Sequence, residues 1–82
     1  MTVTVYSKPS CVQCTATYRA LNARGIEYEI FDVSVAEKAL TTVRDLGYLQ
    51  APVVIVDGEA VGDHWSGFRP DKIDELAAKL AS

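Results

Sequence analysis

The stretch Ser10-Cys11-Val12-Gln13-Cys14 decides the fold, and it contains the only two cysteines of the 82-residue chain. It follows a β-branched run, residues 2–6, which predicts a strand, and it opens a segment with helical periodicity. Cysteines three residues apart at the start of a helix occupy neighbouring positions on one face, so their sulfurs can close a small, reducible ring. The stretch therefore predicts a redox-active thiol pair at a strand–helix junction.

The spacing predicts different roles for the two thiols. Ser10 and Gln13 match a capping box, which places Ser10 at the N-cap and Cys11 at the first helical position. Free amide groups, the positive end of the helix dipole and Lys8 would then stabilise a thiolate at Cys11, and the thiolate is the nucleophile in disulfide exchange. Cys14 lies nearly one turn deeper. We expect Cys11 to attack a disulfide and Cys14 to resolve the intermediate.

Three other interpretations of the cysteine pair stay open from the residues alone. A structural zinc site needs four ligands, and the cysteines and His64 would need a carboxylate to complete it. An inert disulfide that closes so small a ring would constrain the unfolded chain little. A copper or other soft-metal carrier also places CxxC after a first strand, although its order is β-α-β-β-α-β and a methionine usually stands where Pro9 is here. Redox exchange is favoured because the pair follows a strand and opens a helix.

Composition limits the number of domains and the kinds of partner. Eighty-two residues with 49% hydrophobic content predict a single domain, residues 1–82, with a small core. The net charge of −3, without a run of lysine or arginine, argues against a nucleic-acid partner. The longest apolar run, residues 51–56, is too short to span a membrane, and the start of the chain has no signal-peptide pattern. We expect a cytoplasmic monomer that binds neither nucleic acid nor a membrane.

Helical and strand patterns alternate along the rest of the chain. The predicted elements are a helix over 11–24, a strand over 28–33, a helix from a Ser34/Glu37 capping box to Gly47, a central strand over 53–56, a returning strand over 59–65 after the hairpin signal Asp57-Gly58, and a helix from Pro70. With CxxC opening the first helix and a proline opening the third strand, the order β-α-β-α-β-β-α resembles the minimal thioredoxin/glutaredoxin fold. The predicted class is α/β, with a four-stranded mixed sheet and three helices.

Three stretches narrow this resemblance to one family. They are Cys11-Val12-Gln13-Cys14, Gly47-Tyr48-Leu49-Gln50-Ala51-Pro52-Val53 and Trp65-Ser66-Gly67-Phe68-Arg69-Pro70-Asp71. Together they resemble the NrdH-redoxins, glutaredoxin-like proteins that reduce class Ib ribonucleotide reductase and are themselves reduced by thioredoxin reductase, with NADPH as the electron source. The resemblance implies a protein-disulfide reductase whose partners are the reductase's catalytic subunit and thioredoxin reductase. It also implies that no cofactor is bound, because the cysteine pair itself carries the electrons.

The same resemblance implies a substrate cleft beside the first cysteine. A cis bond between Ala51 and Pro52 would leave the backbone of Ala51 free to pair with an extended substrate. Trp65 and Phe68 are expected in a structured loop near the active site rather than in the core, with Arg69 hydrogen-bonded to backbone there. The other candidate substrate-binding residues are Lys8, Val12 and Gln13.

Departures from the neighbouring families concern the base and the reductant. Thioredoxins keep a buried acid six residues before the first cysteine, where this chain has Val5, so the sequence names no base for Cys14. Glutaredoxins hold glutathione through a Gly-Gly pair and acidic residues, whereas this chain has Gly62 and then Asp63. A glutathione-dependent glutaredoxin is therefore the alternative enzyme, with an incomplete glutathione site.

Four ring-bearing residues are less defined by the sequence. We expect His64 to be a solvated turn residue rather than a catalyst. Tyr6, Tyr18 and Tyr48 either line the rim of the cleft or cap the core, and both interpretations stay open.

Overall fold

A four-stranded mixed sheet with three helices makes up the described residues, 2–58 and 63–81, of the computed structural model. The elements are β1 (Thr2–Ser7), α1 (Val12–Ala23), β2 (Glu29–Asp32), α2 (Glu37–Asp45), β3 (Val53–Asp57), β4 (Asp63–Ser66) and α3 (Pro70–Ala81). The sheet order is β2-β1-β3-β4, with β1 parallel to β2 and β3 antiparallel to both β1 and β4. The predicted element order and fold class are confirmed. Of the predicted returning strand, 59–65, residues 63–65 lie in β4, and residues 59–62 lie outside the described residues.

One face of the sheet is filled by α1 and α3. Side chains alternate between the two faces of a strand, and the register aligns Val5 with Val54 and Val54 with Trp65 on this side. Leu21 of α1 and Ile73 of α3 belong to the same cluster, and both are fully buried. Burial of each such side chain contributes roughly 1.5–3 kcal/mol. This filled face is the hydrophobic core.

The opposite face carries α2 and is more open. Tyr6 of β1 and Val53 of β3 are register partners on this side, and with Val43 of α2 they line a cavity of about 220 Å³. A second cavity of about 290 Å³ lies against Tyr6, Phe31 and Ala39. Of the α2 residues, Ala39 and Val43 are buried. We call this side of the sheet the open face.

The helix ends follow the sequence signals at the glycines but not at the start of α2. Gly25 and Gly47 have φ of +67° and +84°, the left-handed conformation expected just after a helix. The Ser34/Glu37 capping box is wrong, because α2 starts from Ala36 without a side-chain cap. Ser34 instead donates its amide and hydroxyl to the Asp32 carboxylate, at 2.8 and 2.6 Å. The Ser34 side chain therefore bonds to the carboxylate two residues before it and does not cap the helix.

Within the part of the chain that the structure describes, no helix is long and apolar enough to cross a membrane.

Candidate active site

The site is built at the junction of β1 and α1, where a disulfide joins Cys11 and Cys14. Their Cα atoms are 5.2 Å apart. Cys11 is half-buried and opens onto a surface pocket, whereas Cys14 is only 2% exposed. A sulfur of another molecule can therefore approach Cys11, while Cys14 is shielded behind it. This burial is compatible with the predicted division into attacking and resolving thiols.

The first turn of α1 is capped by sulfur rather than by a hydroxyl. Cys11 is the N-cap, and its Sγ accepts the Cys14 backbone N–H at 3.1 Å. The prediction of Ser10 as the N-cap is wrong, since Ser10 lies outside the helix with φ of +57°. Because the cap is the reactive sulfur itself, Cys11 Sγ lies at the positive end of the helix dipole and faces an N–H donor. Both features favour the thiolate once the disulfide is reduced.

Gln13 connects the active-site helix to the loop before α3. Its Oε1 accepts the Phe68 N–H at 3.0 Å instead of closing a capping box. Gly67 permits this approach, because it has φ of +82° and a Cβ there would lie 3.1 Å from the same oxygen. The Gly67 N–H donates in turn to the Pro52 carbonyl at 2.8 Å. The three stretches that carry the family resemblance therefore meet at one place.

Two depressions adjoin each other near Cys11, and Cys11 lines the first of them. The first, which we call the active-site pocket, has a volume of about 310 Å³ and is lined by Lys8, Ser10, Cys11, Val12, Gln13, Gln50 and Ala51. The second is the 220 Å³ cavity of the open face, which we call the α2 groove; it is lined by Tyr6, Lys8, Val33, Leu40, Val43, Arg44, Tyr48, Leu49, Gln50, Ala51 and Val53. Lys8, Gln50 and Ala51 belong to both. An extended segment bound at Cys11 can thus continue into an apolar groove.

Half of the predicted substrate-binding residues line the pocket at Cys11. Lys8, Val12, Gln13 and Ala51 line the active-site pocket. The bond between Ala51 and Pro52 is cis, as the fold resemblance implied. The structure therefore brings these positions together, and their roles in substrate binding remain predictions.

Trp65 and Arg69 are not placed as predicted. Trp65 lies in β4, is 3% exposed and belongs to the core cluster, because strand alternation turns it towards the filled face. Its predicted position in a loop near the active site is wrong. Arg69 donates to both oxygens of Asp71, at 3.0 and 2.8 Å, rather than to the loop backbone. This hydrogen bond lowers the pKa of Asp71 to about 2. Phe68 is 38% exposed and reaches the site through its N–H.

Two contacts from β4 hold the segment before Pro52, and the sequence did not indicate them. The Tyr48 hydroxyl oxygen lies 2.7 Å from His64 Nδ1, and the Ser66 hydroxyl donates to the Gln50 carbonyl at 2.8 Å. His64 is exposed, as predicted, but it is a strand residue with a hydrogen-bond partner, so its predicted turn position is wrong. Alternation along β4 was the available signal, since it places His64 and Ser66 on the same face.

The other tyrosines divide between the two sides of the sheet. Tyr6 lines the α2 groove and stacks on Phe31 with ring centroids 5.9 Å apart. Tyr18 stacks on Tyr28 at 5.8 Å and packs against the core cluster. Tyr6 and Tyr48 thus belong to the rim of the groove, and Tyr18 caps the core.

Three features bear on the alternative functions, and a fourth bears on the missing base for Cys14. The observed order β-α-β-α-β-β-α differs from that of the copper carriers. No three His, Cys, Asp or Glu side chains are grouped as metal ligands among the residues the structure describes. Asp63, the acid that follows Gly62, forms an ion pair with Lys72 at 3.0 Å, and this hydrogen bond lowers the pKa of Asp63. Val5, at the position of the thioredoxin acid, is fully buried.

Known proteins are similar to this chain in both sequence and fold. The sequence model of the glutaredoxin family matches residues 3–61. The glutaredoxin-like protein NrdH of Salmonella typhimurium is 46% identical over 77 residues, which cover 93% of this chain and 89% of that protein. This chain belongs to the NrdH-redoxin family. NrdH of Lactococcus lactis subsp. lactis is 33% identical over 75 residues, or 92% of this chain and 99% of that protein.

A solved NrdH-redoxin structure matches the whole arrangement. The NrdH-redoxin of Escherichia coli, a glutaredoxin-like protein with a thioredoxin-like activity profile, superimposes with a TM-score of 0.82 and 42% identity, covering 93% of this chain and 95% of that one. The predicted family and enzyme class are confirmed. The protein is a thiol–disulfide oxidoreductase whose cysteine pair is Cys11 and Cys14.

Proposed function

We propose that this NrdH-redoxin supplies electrons to class Ib ribonucleotide reductase, through a disulfide on the flexible C-terminal tail of the catalytic subunit. Thioredoxin reductase, with NADPH, then regenerates the dithiol. The observation that carries the proposal is the Gln13–Phe68 hydrogen bond, which joins two of the family-typical stretches beside the accessible Cys11 sulfur. The α2 groove supports it further, because an extended tail that reaches Cys11 can place an apolar side chain there.

The proposed reaction is a two-step exchange in which two electrons pass to the target. The Cys11 thiolate attacks one sulfur of the target disulfide; a bond forms to Cys11 Sγ, the target S–S bond breaks, and the first target thiolate leaves and is protonated by solvent. Cys14, after losing its proton, attacks Cys11 Sγ and releases the second target thiolate. The products are a reduced target and the Cys11–Cys14 disulfide, which is the state that the structure describes.

The proposal requires no bound cofactor, because the cysteine pair carries both electrons. NADPH takes part only through the thioredoxin reductase, which returns two electrons to the disulfide. We propose that the protein works as a monomer in the cytoplasm, without a membrane or nucleic-acid partner.

The choice of thioredoxin reductase over glutathione has two supports. The Asp63 carboxylate is already paired with Lys72, so it is less available to a glutathione amine. The similar E. coli protein has a thioredoxin-like activity profile. The second candidate, a glutathione-dependent glutaredoxin, is favoured by the match to the glutaredoxin family and by Lys8 beside Cys11.

Two coupled assays test the reductant and the target separately. NADPH oxidation is followed with insulin as the disulfide, once with thioredoxin reductase and once with glutathione plus glutathione reductase. We expect turnover in the first mixture and background in the second, with Cys11→Ser as the inactive control. Faster turnover with glutathione would identify a glutaredoxin instead.

The target assay measures deoxyribonucleotide formation by the purified class Ib enzyme, with NADPH and thioredoxin reductase present. This protein and a thioredoxin are compared as donors at equal concentrations. We expect this protein to support faster turnover. Equal turnover with the thioredoxin would contradict a dedicated donor and would leave the chemistry of Cys11 and Cys14 unaffected.

A further inference from the structure

The segment before Pro52, residues 47–51, forms one side of the proposed substrate-binding surface. Gln50 and Ala51 line both the active-site pocket and the α2 groove, while Tyr48 and Leu49 line the groove alone. Leu49 is 95% exposed, so it packs against little within the described structure. The position of this segment therefore depends on the contacts that the residues on either side of Leu49 make.

The side-chain contacts come from β4, on the open face of the sheet, while the Gly47 and Tyr48 amides donate to the Arg44 and Val43 carbonyls of α2, at 2.9 and 3.2 Å. The Tyr48 hydroxyl oxygen is 2.7 Å from His64 Nδ1 and 3.3 Å from the His64 carbonyl oxygen. The two rings also meet edge to face, with centroids 5.5 Å apart and planes at 74°. Two residues along the strand, the Ser66 hydroxyl holds the Gln50 carbonyl at 2.8 Å. The segment is thus fastened on both sides of Leu49.

We propose that Tyr48 and His64 are positioning residues, which hold segment 47–51 in the conformation that protein disulfides bind. Neither side chain lines the active-site pocket, and only Tyr48 lines the α2 groove, so we expect both to change substrate affinity and not the sulfur chemistry. The Tyr48 hydroxyl has two acceptors on His64: the carbonyl oxygen and, in the neutral imidazole protonated on Nε2, the closer Nδ1, to which its single O–H then donates. The inference rests on disulfide exchange at Cys11 and not on the identity of the physiological partner.

The test compares three single variants, one double variant and one control variant with wild type in a single-turnover assay. Each protein is fully reduced, freed of reductant and mixed with increasing concentrations of insulin whose disulfides are intact. The thiols that remain are trapped with iodoacetamide. The single variants are Tyr48→Phe, His64→Ala and His64→Asn. The half-saturating insulin concentration and the limiting rate are obtained separately. Tyr28→Phe is the matched control, because it removes a hydroxyl from the stacked Tyr18–Tyr28 pair on the other side of the sheet.

We expect Tyr48→Phe and His64→Ala to raise the half-saturating concentration by about three-fold to ten-fold, as the loss of one hydrogen bond predicts, with the limiting rate within about two-fold of wild type. His64→Asn should recover most of the affinity, because its amide oxygen can accept in place of Nδ1. The double variant Tyr48→Phe/His64→Ala should be no weaker than the weaker single variant, since both remove the same bond. Tyr28→Phe should behave as wild type.

Three results would overturn the proposal. These are a half-saturating concentration for Tyr48→Phe within about two-fold of wild type, a limiting rate that falls in parallel with affinity, and a His64→Asn variant as weak as His64→Ala. The last result would mean that the imidazole acts through packing and not through its acceptor. Because insulin is the only substrate and no reductase is present, the outcome does not depend on the ribonucleotide reductase assay.

Discussion

The two faces of the sheet differ in how completely they are covered. On the filled face, Leu21, Ile73 and Val54 are each 0% exposed and pack with Trp65 in one cluster. On the open face, α2 leaves cavities of about 220 and 290 Å³ that are lined in part by residues of β1, β2 and β3. Close packing of this kind supplies stability, and cavities lined by apolar groups supply binding surface.

The cysteine pair lies where these two environments meet. Cys14 is 2% exposed, on the buried side of α1, and Cys11 faces the active-site pocket, which adjoins the α2 groove. This difference in exposure between Cys11 and Cys14 shows that one helix turn can hold a shielded thiol and an accessible thiol without a second domain. Substitutions on the filled face should therefore lower stability, and substitutions on the open face should lower substrate affinity.

The largest expected effect is at the sulfurs themselves. Cys11→Ser should reduce insulin disulfides no faster than the buffer, because the serine hydroxyl stays protonated and cannot form the mixed disulfide. Cys14→Ser should still attack and then stall as a mixed disulfide, which mass spectrometry of the unreduced product would detect. Mixed disulfides through Cys14 in the Cys11→Ser variant would contradict the assigned order.

A paired substitution tests the contrast in packing. Leu21→Ala on the filled face should lower the free energy of unfolding by about 2–5 kcal/mol, because it leaves a cavity among fully buried neighbours. Leu40→Ala, at a half-buried position lining the α2 groove, should lower it by only about 1 kcal/mol. Urea titrations of the oxidised proteins measure both. Equal losses would mean that the open face contributes as much to stability as the core.

A second pair tests the contrast in binding. Leu49→Ser removes an apolar side chain that is 95% exposed at the groove, and Val35→Ser removes one that is 83% exposed and is not among the groove residues. Each should change the free energy of unfolding by less than about 0.5 kcal/mol. Only Leu49→Ser should weaken binding of oxidised insulin, by on the order of 1 kcal/mol or about five-fold. Equal affinities for the two variants would contradict the assignment of the groove as binding surface.

The smallest expected effect concerns the exposed start of α3, the helix that covers the filled face. The hydrogen bond from Arg69 lowers the pKa of Asp71 from 3.8 to about 2, so the folded state binds this proton less readily than the unfolded state. The resulting stability is present above pH 3.8 and is lost as the pH falls towards 2. Asp71→Asn should therefore unfold at slightly lower urea concentration than wild type at pH 7, and at nearly the same concentration near pH 2. Both side chains are exposed, so the difference is small. Asp45→Asn is the control, and a difference that persists at pH 2 would contradict the ion-pair explanation.

Local patterns in the sequence predicted the elements and the reactive pair well. These patterns depend only on residues that are close together in the sequence, and each corresponds to a feature of the structure. They are the CxxC spacing, the glycines after α1 and α2 and the proline at the start of α3. The capping box at Ser10 failed because the pattern counts hydroxyl and amide side chains as caps, whereas Cys11 Sγ takes the position. A sulfur cap depends on the backbone geometry of the turn that holds the two cysteines. The residue types of a capping-box pattern do not indicate that geometry.

Contacts between distant segments were harder to predict. Trp65 looked like a loop residue beside the site, but its register partner Val54 on β3 places it in the core. The Tyr48–His64 and Gln13–Phe68 contacts join positions 16 and 55 residues apart, and only the packing of the whole sheet brings them together. The sequence thus indicated which stretches form the site, and the structure shows how they are held.

The central claim is that exchange begins at the accessible Cys11 and ends at the shielded Cys14. Timed alkylation of the fully reduced protein with iodoacetamide tests it most directly, because peptide mapping by mass spectrometry reports each cysteine separately. We predict that Cys11 is labelled first and that Cys14 is labelled only after a delay or on unfolding in urea. Labelling of Cys14 before Cys11, or of both at the same rate, would contradict the claim.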